Sequence, residues 1–148
     1  MESNKVLYSQ LFLRIAISFS FLSAVADRLG LWGAPNTQYV NWGNWQNFVD
    51  YSNSVNSFVP TPLGNILAVI ATALEIIIPL FLLIGYKTKL ASLASGTLLL
   101  LFGLMMTISF GIKPSLDYSV WTSAGASFLL SQCNTYWLSM DNVMENRG

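Results

Sequence analysis

Histidine occurs nowhere in the 148 residues. Its absence removes the usual haem ligand, the commonest metal ligand and the ordinary general base. No Ser–His or Cys–His dyad can be assembled without it. Cysteine occurs once, at Cys133. An internal disulfide, a CxxC pair and a cysteine cluster are therefore excluded, and a small packing residue is the expected role. Charge is scarce too. Only 9% of residues are Asp, Glu, Lys or Arg, against roughly 25% in soluble domains. The formal net charge is zero, which offers nothing to nucleic acid. The glycines form no phosphate-binding loop.

What is abundant is apolar: 53% of residues are hydrophobic. A soluble chain of this size has too much surface to cover with so few charges, whereas lipid asks for no polar cover. Four stretches, residues 8–29, 63–86, 90–112 and 118–140, are long enough to cross a hydrocarbon core that takes roughly 20 helical residues. Backbone amides in lipid must be paired within their own segment, so helix is the expected form. The runs do not alternate as barrel strands would. The first stretch continues past the length of a signal core and carries Arg14, which predicts a permanent membrane helix. The fourth is charge-free but rich in Ser, Thr, Gln and Asn, which predicts one face turned into the bundle. The expected fold is all-α: one domain over residues 1–148, an integral membrane four-helix bundle in contact with the lipid bilayer.

The connection between the first two spans is not a plain linker. Within residues 38–59, Trp42, Trp45, Val49, Ser52, Val55 and Val59 recur every three or four positions, while Asn44, Asn47, Asp50, Ser54 and Ser57 take the opposite face. That pattern predicts an amphipathic helix. Trp42, Trp45 and Phe48 make it aromatic, as headgroup-level segments are. It lies in the outer interface, or closes the outer mouth of the bundle as a lid, and the two readings are compatible. Lys5, Lys87, Lys89 and Arg147 fall on one side of a four-span topology, against Arg28 and Lys113 on the other. The bias places both termini in the cytoplasm. Ser92, Gly96 and Gly103, and the stripe Ser119, Ser123, Ser127 and Ser131, have the spacing of close helix seams.

A charge inside a membrane span costs about 3 kcal/mol or more. Arg14 and Glu75 stand out for that reason. Counted from Lys5 and Lys87 at about 1.5 Å per residue, their depths differ by about 5 Å. The two are expected to pair, either to fix helix register or to form a polar site for a proton, a quinone headgroup or another ligand. Pro79 lies four residues after Glu75 and removes the amide that would bond the Glu75 carbonyl, so a kink is expected there. At the outer mouth, Asp27, Arg28 and Asp117 form a candidate polar cluster with an Arg28–Asp117 contact. Tyr118 and Trp121 are expected to anchor the interface. No metal site is expected.

Several blocks resemble the DoxX family of small bacterial membrane proteins. They are Leu13-Arg14, Phe21-Leu22 and Asp27-Arg28-Leu29-Gly30 in the first span. Leu74-Glu75 and the run from Pro79 through Gly85 to Thr88-Lys89 continue the series, followed by residues 111–119. The similarity covers about residues 7–132. It implies a four-helix bundle in the bacterial cytoplasmic membrane. It also implies a small subunit or accessory of a quinone-linked redox or oxidative-stress complex. The quinone and a soluble redox partner would come from outside the chain, which holds no cofactor of its own. Arg14, Glu75, Asp27 and Arg28 are the positions that match. Two other readings stand beside it: a scaffold or assembly factor for a larger membrane complex, and a carrier of a lipid-like molecule entering under the lid.

Overall fold

The computed structural model describes residues 4–145, and all regular structure among them is helical. Arg147, used above in the charge bias, lies outside the described residues. Helix α1 runs over Asn4–Arg28, α2 over Trp45–Val55, α3 over Thr61–Ile84 and α4 over Thr88–Phe110. Three short helices follow, α5 over Ile112–Asp117, α6 over Val120–Ser131 and α7 over Met140–Glu145.

Helices α1, α3 and α4 have 25, 24 and 23 residues and are long and apolar enough to cross a membrane. Each measures about 35 Å at about 1.5 Å per residue. Their ends are set by local chemistry. At the end of α1, Gly30 N–H donates to Asp27 O and Leu31 N–H to Ala26 O, both at 2.9 Å. This is a Schellman closure, which needs the left-handed φ of +74° that Gly30 supplies. Pro62 sits in the first turn of α3, where its missing N–H costs nothing. Helix α3 runs on through Pro79 and ends at Gly85, with φ +71°. Helix α4 follows after the three-residue turn Gly85-Tyr86-Lys87.

The fourth expected span, residues 118–140, is not one helix. Helix α6 has only 12 residues, and the chain from Gln132 to Ser139 is irregular. At about 18 Å, α6 alone is too short to span. The irregular stretch nevertheless carries the chain back to the α3–α4 turn. There Asp141 N–H donates to Gly85 O, and the Asp141 carboxylate accepts from Lys87 N and Thr88 N, each at 2.7 Å. Irregular backbone at membrane depth is tolerated only when its polar groups find partners in the protein. Arg14 supplies them. Its Nη1 donates to Trp137 O at 2.7 Å and its Nη2 to Leu138 O at 3.3 Å.

The seam between α4 and α6 is built on small residues. Ser95 and Ser127 Oγ atoms meet at 3.0 Å between α4 and α6. A side chain on Gly96 would strike Phe128, and one on Gly103 would press on Trp121. The seam expected from the spacing forms at Ser127 and Ser131, which are buried, but Ser119 is exposed and Ser123 half-buried. Trp121 also packs inward. It is half-buried against the seam and donates from Nε1 to Ser115 Oγ at 3.0 Å.

Candidate functional site

Helices α1 and α3 lie side by side and antiparallel. Arg14 faces Leu82, Ser18 Oγ donates to Pro79 O at 3.2 Å, and Arg28 faces Thr72 and Glu75. This register decides the ionic pairing. Arg28 Nη2 lies 2.5 Å from Glu75 Oε2, and its Nη1 donates to Thr72 Oγ1 at 2.8 Å. Arg28 and Glu75 are 4% and 2% exposed. Glu75 is fourteen residues from the start of α3 and nine from its end, so the pair sits near mid-depth of that helix.

The expected Arg14–Glu75 pair does not form. Arg14 stands level with the end of α3, where its Nε donates to Leu82 O at 2.8 Å and its Nη2 to Leu83 O at 3.3 Å. The expectation took Lys5 and Lys87 as level with each other. In the fold α1 starts well beyond the α3–α4 turn, so Arg14 falls about 10 Å from Glu75 along the helix axis. The Arg28–Asp117 contact does not form either. Asp117 pairs with Lys113 one turn earlier, in an exposed contact, while Arg28 turns inward.

Aromatic residues cover the pair. The Arg28 guanidinium carbon is 3.8 Å from the centroid of the Phe48 ring and 5.4 Å from that of Trp42. Cation–π contacts of this kind strengthen when water is excluded. Helix α2, expected over the pattern from Trp42 to Val59, covers only Trp45–Val55, capped by Asn44 Oδ1 accepting from Asn47 N. Phe48, Val49 and Ala68 pack α2 onto α3, and Val55 packs with Met106 and Val120. The segment packs on the bundle as the expected lid. Phe48 is buried inside it, not presented outward, and Trp45 keeps a partly exposed ring. Burial, with Tyr118 nearby, holds the Tyr51 phenol above its usual range, so it stays neutral.

Asp27 sets the lid in place. Its carboxylate is 4% exposed and accepts from Asn41 N at 2.9 Å, Gly43 N at 3.0 Å and Trp42 N at 3.3 Å. A single carboxylate thus gathers three consecutive amides and seats Trp42 over its neighbour Arg28. Gly30 and Gly43 allow this approach, because a side chain on Gly30 would come 2.9 Å from Gly43 O. Thr72 was not anticipated. Its only sequence signal is a hydroxyl one turn before Glu75 on an apolar helix.

Residues 9–110 match the family model described as DoxX. The chain belongs to the DoxX family. The DoxX match takes in Arg14, Asp27, Arg28, Trp42, Phe48, Thr72 and Glu75, and so holds the whole covered ion pair. It stops at the end of α4, short of the limit near residue 132 expected from the sequence blocks. Helices α5–α7 and the segment that caps the α3–α4 turn lie beyond it. No curated protein and no solved structure matches the chain.

Proposed function

We propose that this DoxX protein is the small membrane subunit of a quinone-linked redox complex in the bacterial cytoplasmic membrane. In this reading the Arg28–Glu75 pair under α2 is its polar site, and both termini are cytoplasmic. One observation carries it: the buried Arg28 Nε–H has no acceptor. An unsatisfied buried donor is costly and calls for a partner. A quinone carbonyl is such an acceptor, so the residues present fit a quinone headgroup. A bound quinone supplies the capacity to take up two electrons and two protons. In this reading the electrons come from a partner subunit. Arg28 holds the headgroup by its Nε–H, Glu75 holds or passes a proton at its carboxylate, and Phe48 and Trp42 exclude water.

The test is quinone reduction by complexes purified from native membranes. Glu75→Gln keeps the shape of the side chain but not its charge, and removal of a general acid–base group costs about 10²-fold or more in rate. Unchanged activity in Glu75→Gln contradicts the proposal, as does recovery of the wild-type protein alone with no quinone.

A further inference from the structure

A groove of about 430 Å³ opens beside the lid, lined by Ser23, Asp27, Trp32, Gln38, Tyr39 and Asn41 among others. Neither it nor the smaller groove between α2 and α3 is lined by Glu75. The Trp32 ring is fixed in place, because its Nε1 donates to Ser23 O at 3.0 Å. Tyr39 is unusual. It holds a left-handed backbone, φ +68°, yet its side chain is 91% exposed. A tyrosine in that region of φ carries strain, and here burial of the ring gives nothing back. Such strain is characteristic of ligand clamps.

The electrostatics point to a cation. Asp27 lines the groove wall, and no Lys or Arg does. Two aromatic rings beside a carboxylate make a site for an ammonium group. The surroundings name its source. Leu29, Leu31 and Trp32 are all more than half exposed on the same loop, an apolar surface that suits lipid contact.

We propose that this groove binds the ammonium headgroup of an amine-headed phospholipid, with its phosphate left at the open rim. The ammonium sits between Trp32 and Tyr39 and faces Asp27. The site is separate from the buried pair and does not depend on quinone chemistry.

The test uses the full chain reconstituted in vesicles of equal parts phosphatidylethanolamine and phosphatidylglycerol. Polymer then cuts out discs, and their lipids are counted by mass spectrometry. At the groove the ratio of ethanolamine to glycerol lipid should be about three to one, the scale of one exposed cation–π contact, against one to one in the vesicles. Trp32→Leu with Tyr39→Ala should abolish the enrichment at unchanged thermal stability, since both rings are exposed. Lipid counts equal to the vesicle composition overturn the proposal. So does enrichment of phosphatidylglycerol, or enrichment that survives the double substitution.

Discussion

The guanidinium of Arg14 offers five N–H donors, and the carbonyl groups of Leu82, Leu83, Trp137 and Leu138 receive four of them. Two belong to the last turn of α3, where carbonyls lack helical partners and the dipole favours a cation. The other two belong to the irregular strand that replaces the end of a fourth span. Gly85 makes room, since a side chain there would reach within 2.4 Å of Arg14 Nη2. Arg14→Leu should therefore destabilise the protein by about 3 kcal/mol or more, through four carbonyls stripped of charged donors. Arg14→Lys should recover only part, because an ammonium cannot fork between two chains. Thermal unfolding in detergent measures both, and a neutral Arg14→Leu would contradict this role. That Arg14 is buried at cost was legible from its place in an apolar run. Its partners were not, because they are backbone carbonyls, and every residue has one.

At the scale of elements, the three long helices and the amphipathic segment were legible from length and periodicity. The break in the fourth was signalled by the polar run Gln132-Cys133-Asn134-Thr135, which a hydropathy average conceals. The lid position of α2 was one of two readings the pattern allowed, because an apolar face fits protein or lipid equally well. The seam between α4 and α6 depends on absent side chains. Gly96→Leu places its first carbon within 2.7 Å of the Phe128 ring and should cost about 1–3 kcal/mol by overpacking. Gly125→Ala, inside α6, meets nothing within 4 Å and should raise stability by about 0.5–1 kcal/mol. A Gly96→Leu chain that unfolds at the wild-type temperature would show that α4 and α6 do not pack closely.

Across the whole molecule, the ionic residues are sorted by helix register and not by distance from the nearest loop lysine. Helix α1 slides past the α3–α4 turn, so Arg14 meets the end of α3 and Arg28 reaches its middle. Sequence identified both residues and Glu75. It could not join them, because a loop charge does not mark a common depth on two helices. The covered site draws on α1, α2, α3 and the Asp27-bound loop at once, so its integrity reports on the assembled fold. Breaking a buried pair from one side leaves a stranded charge, at a cost of about 3–5 kcal/mol, whereas removing both partners costs far less than the sum. The most direct test is a pair of double-mutant cycles read by unfolding in one detergent. The Arg28→Met/Glu75→Leu cycle should show a coupling of about 2 kcal/mol or more, while Arg14→Leu/Glu75→Leu should be additive within about 0.5 kcal/mol. Additivity in the first cycle with strong coupling in the second would contradict the account.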